Sequence, residues 1–153
     1  MSVEPRRADP EDVARIAQLL HDFNTEFDEP TPGPRFLAER VGRLLEADEM
    51  TVLVAGREAQ GLAVLRFRPS LWRDALDCYL EELYVVPERR GQGLGGALLD
   101  AAIELAREQG ARDMHLGTAE TDLAARALYE SRGFDNRGGR ADGPVEYFYE
   151  REL

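Results

Sequence analysis

The chain contains no lysine, since all nineteen of its basic residues are arginine. That removes the lysine of a P-loop phosphate site and the amine of Schiff-base enzymes. Its one cysteine, Cys78, closes no intrachain disulfide. With only His21 and His115 beside it, no Cys/His metal set can be assembled, so no bound metal is expected. Three serines, Ser2, Ser70 and Ser131, stand outside any nucleophile-elbow pattern. No apolar run approaches the roughly 18 residues of a membrane span. The opening MSVEPRRADPED carries acids where a secretory signal needs an apolar stretch, so a cytoplasmic protein with no membrane partner is expected. Positive charge is scarce as well. Nineteen bases against thirty acids leave a net charge of −11 and a pI near 4.7, without the basic footprint that binds nucleic acid. Cationic small molecules are the better partners.

What is present suits one soluble domain spanning residues 1–153, with 43% hydrophobic and 32% charged residues and no internal repeat, low-complexity tract or linker. Asp9-Pro10-Glu11-Asp12 reads as a helix start, with a capping carboxylate followed by proline. Val13, Ile16, Leu20, Phe23 and Phe27 then recur at helical spacing. Three prolines and a glycine between Asp28 and Pro34 separate this helix from a second over about Arg35–Ala47. Met50–Ala55 and Leu62–Phe67 read as a hairpin and Tyr79–Val86 as a third strand. A long helix follows Gly91–Gly96, with Gly110 as its C-cap. Met114–Leu116 predicts a short strand, Leu123–Ser131 a helix, and the aromatic run Val145–Tyr149 a terminal strand, after a glycine-rich stretch, Arg137–Gly143, expected to be a mobile hairpin loop. Hairpins first and a strand-helix-strand crossover later predict an α/β fold: a mixed, mostly antiparallel twisted sheet flanked by about four helices.

The most informative segment is the strand-to-helix turn, where Arg89 and Arg90 lead into Gly91, Gln92, Gly93, Leu94, Gly95 and Gly96. Glycines let the backbone approach an anion, and the first amides of the following helix point at it with the helix dipole behind them. The same glycines could serve turn geometry alone, but four in six positions beside two arginines, in an acidic protein, favour anion binding. Gly91, Gly93 and Gly96 also fit the dinucleotide pattern G-x-G-x-x-G, with Glu120 as a ribose-binding acid. That pattern belongs immediately after a first strand, whereas here Pro87–Arg90 intervene and three strands precede.

Arg90-x-x-Gly93-x-Gly95 resembles the acetyl-coenzyme A signature Q/R-x-x-G-x-G/A of the GNAT family of N-acetyltransferases. Upstream, Tyr79-Leu-Glu-Glu-Leu-Tyr-Val-Val-Pro-Glu88 looks like that family's fourth strand. Downstream, Ala125-x-x-Leu128-Tyr129-Glu130-x-x-Gly133-Phe134 looks like its last helix, and the nearest likeness is to diamine and small-amine acetyltransferases. The resemblance implies a GNAT-like fold and transfer of an acetyl group from acetyl-CoA to a primary amine by direct attack in a ternary complex. The amides of Gly91–Gly96, with Arg90, would hold the pyrophosphate. The edge of Leu83, Tyr84 and Val85 would take the pantetheine, with an amide near Val85 polarising the thioester. Glu81 would deprotonate the ammonium, directly or through water, because alternation puts Glu81 and Glu82 on opposite faces and the family likeness favours Glu81. Tyr129 would protonate the departing thiolate. Asp122 stands where the family has a pantetheine-contacting asparagine, which an ionised carboxylate cannot replace as a donor. Asp22, Glu26, Asp28 and Glu29 would either be a solvated helix end or attract the cationic acceptor. The resemblance is compatible with a homodimer. The alternative is an acyl-CoA sensor in which Glu81 and Tyr129 only pack. The acceptor itself is left open.

Overall fold

The computed structural model describes residues 4–153, so Ser2 lies outside the described residues. Strands β1 (Arg6–Arg7), β2 (Thr51–Ala55), β3 (Gly61–Pro69), β4 (Leu76–Val85) and β5 (Ala111–His115) form one sheet in sequence order. The first three pairings are antiparallel and β4–β5 is parallel. With helices α1 (Val13–Glu26), α2 (Pro34–Glu46), α3 (Leu94–Glu108) and α4 (Leu123–Ser131), this is the mixed α/β architecture expected. Contacts divide the chain into two compact units, Met1–Leu116 and Gly117–Leu153.

In the first unit the helix start is built as its sequence implies. The Asp9 carboxylate accepts from the Glu11 amide, the Asp12 carboxylate accepts from the Asp9 amide, and Arg6 donates twice to Asp12 at 2.8 Å. This locks the two-residue β1, which has no hydrophobic alternation and therefore left no trace in the pattern, against the turn that launches α1. Guanidinium hydrogen bonds hold the Asp12 carboxyl below its usual value.

One face of the sheet packs Val52, Val54, Leu62, Val64, Tyr84 and Val86 against Ile16 and Leu19 of α1 and Val41 of α2. Leu94, Leu98, Leu99 and Ala102 of α3 are also fully buried, and α3 packs across β2 to β5. Gly61 lies under that helix: a Cβ there would lie 2.9 Å from Leu98 Cδ1 and 3.2 Å from the Tyr84 carbonyl.

In the second unit, α4 is capped by Asp122, whose carboxylate accepts from the Ala125 amide at 3.1 Å. The glycine-rich stretch is organised by hydrogen bonds. Asp135 accepts from the amides of Arg137 and Gly139, Arg137 donates to the Gly143 carbonyl, and the Glu146 amide reaches the Asn136 carbonyl at 2.7 Å. The predicted strand Val145–Tyr149 is not formed. The segment carries strand chemistry, but a strand needs a ladder of paired amides and carbonyls, and among the described residues no strand lies against it, although the Glu146 amide meets the Asn136 carbonyl.

Gly61→Ala should cost about 1–3 kcal/mol through overpacking at the β3–α3 contact. Thermal unfolding should register this as a clear drop in Tm, whereas Gly133→Ala, with nothing within 4 Å of the added methyl, should show only backbone strain.

Candidate active site

The centre of the first unit is an irregularity in β4. Val64 of β3 faces Glu82 while Leu65 faces Leu80, so Glu81 is an extra residue with no partner in the register. A bulge of this kind breaks the alternation of side chains. Val64 and Tyr84 belong to the face covered by α1 and α2, and Glu82, opposite Val64 and two residues from Tyr84, shares it. Glu81 ends on the same face, where its carboxylate meets Arg66 at 3.3 Å, Arg66 being two residues from Val64 on β3. Regular alternation would have placed the two acids on opposite faces. The bulge puts both on one, and a single extra residue is invisible in the sequence pattern.

The environments of the two acids differ. Glu81 is exposed and salt-bridged to Arg66. Glu82 is half-buried, and its carboxyl is pushed up to about 7, first by burial and then by the negative charge of Glu81. Glu82, which the sequence reading set aside in favour of Glu81, therefore carries a carboxyl able to exchange a proton near neutrality. Its only sequence signal was its place beside Glu81.

Just before the bulge, β4 loses its outer neighbour. Its parallel pairing to β5 covers Leu76–Tyr79, and among the described residues no strand pairs with Leu80–Val85 on that side. The Val86 amide donates to the Gln60 carbonyl on the β3 side. Antiparallel alternation therefore aims the backbone groups of Leu83 and Val85 at the open edge and those of Tyr84 inward.

A short turn, Pro87–Arg89, then leads into α3. Gly91 (φ +74°) and Gly93 (φ +87°) adopt the left-handed region that favours glycine, and an added Cβ at either would meet nothing within 4 Å. Gly93 is the N-cap of α3 and supplies no side-chain cap, so the amides of Leu94, Gly95 and Gly96 start the helix without a side-chain acceptor. The cradle fits a diphosphate: open space, donors and a helix N-terminus coincide.

Both arginines at the turn are engaged within the protein. Arg89 donates to the side-chain carbonyls of Gln92 and Gln60. Arg90 donates to the Val85 carbonyl and makes a bidentate pair with Glu26 at 2.8 Å. Glu26 also accepts from the Tyr84 hydroxyl at 2.9 Å, and Tyr84 stacks on Phe23 with the Arg90 guanidinium 5.6 Å from its ring centroid. Arg90 hydrogen bonds hold the Glu26 carboxyl below its usual value, while burial pushes the Tyr84 phenol up to about 12. Of the acids at the end of α1, Glu26 is thus a structural partner of Arg90, and Asp22 accepts from Gln18.

In the second unit, half-buried Tyr129 on α4 packs edge-to-face on Phe134, with centroids 6.0 Å apart. Asp122 is occupied as the α4 cap. Cys78 lies inside β4, fully buried, with its thiol pushed up to about 12 by desolvation, which suits packing rather than nucleophilic attack. His21 contacts the Thr31 hydroxyl at 3.1 Å. Among the described residues no group of His, Cys, Asp or Glu is placed to hold a metal ion, and no helix is long and apolar enough to cross a membrane.

The profile of the acetyltransferase (GNAT) family matches residues 13–134. This chain belongs to that family. An uncharacterized N-acetyltransferase of Bacillus subtilis, YhfO, is 30% identical over 88% of this chain and 91% of its own length. An aminoglycoside N(6')-acetyltransferase type 1 of Stenotrophomonas maltophilia is 30% identical over 85% of this chain and 84% of its own. Among solved structures, an acetyltransferase-class protein of Arthrobacter sp. FB24 superposes with a TM-score of 0.90 and 48% identity over 100% of this chain and 98% of that one. The GNAT protein described here is an acetyl-CoA-dependent acyltransferase with the family's fold.

Raising a carboxyl from its usual value to about 7 costs folding stability as the pH rises. Below the unfolded value both states carry the proton; between there and about 7 only the folded state keeps it, and above that the full penalty is present. Glu82→Gln should therefore stabilise this GNAT protein at pH 8 by about 1–2 kcal/mol after allowance for solvent screening. At pH 4 it should leave stability nearly unchanged. Denaturant titrations at the two pH values check this.

Proposed function

We propose that the enzyme transfers an acetyl group from acetyl-CoA to the primary amine of a small cationic molecule by direct attack in a ternary complex, within one catalytic domain. The observation that carries this reading is the bulge, which sets Glu81 and Glu82 on one face of β4 beside backbone groups facing the open edge. Relatives named for aminoglycoside and thialysine acetylation, the latter a Bos taurus protein 33% identical over 54% of this chain and 51% of its own length, make an amine acceptor the natural class. The net charge of −11 favours a cationic one.

Bound acetyl-CoA supplies the activated acyl group. The amides of Leu94, Gly95 and Gly96, with Gly91, Gln92 and Gly93 shaping the turn, hold its diphosphate, and Arg90 stands at the edge of the cradle. Leu83, Tyr84 and Val85 form the strand edge that lines up the pantetheine. A backbone N–H at Val85 faces the carbonyl oxygen on which negative charge develops, and being fixed in a sheet it needs little reorganisation. Asp122 acts through α4, as its cap.

An ammonium acceptor must lose a proton before it attacks. A glutamate at the ordinary value of about 4.3 is a weak base for that task. Glu82, at about 7, is a stronger one and is half ionised near neutrality. Glu82 takes the proton, directly or through water. Glu81, whose charge adds to the effect of burial on Glu82, faces the incoming cation. Tyr129, within its Leu128-Tyr129-Glu130 motif, gives its phenolic proton to the departing thiolate. We place the enzyme in the cytoplasm, working on small molecules rather than on nucleic acid or membranes.

An acceptor screen that detects released thiol tests the assignment. For a good acceptor, log kcat/KM should rise with pH up to an apparent pKa near 7, and Glu82→Gln should abolish that limb and lower kcat about 100-fold, within the usual range for general-base loss. Glu81→Gln should shift the limb to lower pH, and Tyr129→Phe should lower kcat without changing acetyl-CoA affinity. Gly93→Val should weaken acetyl-CoA binding in calorimetry. Tight binding of acetyl-CoA with no turnover across the amine panel would instead identify a sensor.

A further inference from the structure

Between the start of α1, the end of α2 and the β1 edge of the sheet lies a cavity of about 440 Å³. Small-ligand pockets occupy roughly 300–1,000 Å³, so it can hold one. Val13, Leu45, Met50 and Val52 line its apolar part. Met50 and Val52 belong to the core beneath α1 and α2, and Val13 and Leu45 pack against that core, so the cavity opens off the hydrophobic interior of the first unit. None of the residues assigned to acetyl-CoA or to proton transfer lines it, and β2 and β3 stand between β1 and β4.

A glycine keeps this space open. Gly42 stands inside α2, where every residue but proline would favour the helix more. Its φ lies outside the left-handed region, and a Cβ built on it would meet only Val13 Cγ1, at an ordinary contact distance of 3.9 Å. Backbone conformation and close packing therefore do not demand a glycine. Gly42 and Val13 both line the cavity, and a larger side chain at position 42 would grow into it. The rim has a sign. Asp9, Glu46 and Asp48 stand there against Arg7 alone. Asp48 lies 4.0 Å from Arg7, beyond hydrogen-bond reach, and among the described residues Glu46 has no hydrogen-bond or ion-pair partner. Leu45 and Glu46 also close the carboxyl end of α2, where the helix dipole adds negative potential.

We propose that this cavity is a second ligand site and that it takes an amphipathic cation, an aryl or alkyl body carrying an ammonium group. The body lies against Val13, Leu45, Met50 and Val52, and the charged head stays at the wet rim beside Glu46 and Asp48. Removing the body from water supplies most of the affinity. The rim charges are solvated and add little to it, but they select the sign of the ligand, because an anion of the same shape would meet a rim of net negative charge. The site binds its ligand without acylating it, since its lining residues include none from the glycine turn or from β4. The inference stands on the cavity, Gly42 and the rim, and is independent of the reaction proposed above.

Benzyltrimethylammonium has the required shape and, lacking an N–H, cannot be acetylated. Titrated into the isotope-labelled full chain, it should give saturable NMR shifts at the amides of Val13, Gly42, Leu45 and Val52. Phenylacetate, with the same aromatic body and the opposite charge, should bind several-fold more weakly. Gly42→Leu should fill the space and weaken the cation about 10-fold or more, the equivalent of losing most of the apolar contact. Glu46→Gln combined with Asp48→Asn, at exposed positions that leave the core alone, should remove most of the preference for the cation and serves if the leucine variant fails to fold. Gly42→Ala should raise Tm by about 2–4 °C, as expected when a helix glycine has no packing duty. Thiol release with a good acceptor should be unchanged in all three variants. The site would be overturned by the absence of saturable shifts up to the solubility limit of the salt, by shifts confined to residues outside the cavity, or by equal affinity for phenylacetate. A Gly42→Leu chain that binds as tightly as the native one, or a fall in Tm for Gly42→Ala, would also overturn it.

Discussion

One residue more on β4 than on the facing length of β3 sets where the two adjacent carboxylates, Glu81 and Glu82, stand on the sheet. Without Glu81 as a bulge, hydrogen-bonded alternation would carry Glu81 and Glu82 to opposite sides of the sheet, and each would meet a different environment. With it, two carboxylates share a face, and Coulomb repulsion together with burial holds a proton on Glu82 near neutral pH. The same strand has already parted from β5 after Tyr79, so a charged face and an open backbone edge occur on adjacent positions of one rigid element. Rigid placement of this kind is what gives a fixed donor or acceptor its catalytic value.

The glycine turn is held from outside as much as by its own geometry. Arg90, the residue that the acetyl-CoA signature points to, is gripped by Glu26 from the end of α1, which also receives the Tyr84 hydroxyl while Phe23 backs the ring. A buried tyrosine, a bidentate ion pair and an aromatic stack tie α1, β4 and the entrance to α3 into one assembly. The acid-rich end of α1 is therefore partly spent on structure. Glu26 belongs to the turn, and only the remaining acids can contribute a field to an incoming cation.

A different constraint governs Gly117–Leu153. Its helix is capped by Asp122 and its loop is hydrogen-bonded, yet no apolar side chain in it is buried. Local hydrogen bonding through the Asp122 cap and the Asp135 loop is what shapes this segment.

The sequence by itself determined the helices and the long strands, because 3.6-residue and two-residue periodicity, the Asp9 cap and the Gly91–Gly96 turn are written in consecutive residues. Family membership was legible for the same reason, since Arg90-x-x-Gly93-x-Gly95 and the Tyr129 motif are local. Tertiary structure alone decided three things. The register slip between Val64 and Leu65 put Glu82 and Glu81 on one face, burial there raised the Glu82 carboxyl, and pairing with distant Glu26 engaged Arg90. The lack of a facing strand left Val145–Tyr149 unformed. Each depends on residues far apart in the chain or on a partner, and no window of neighbouring residues carries that information.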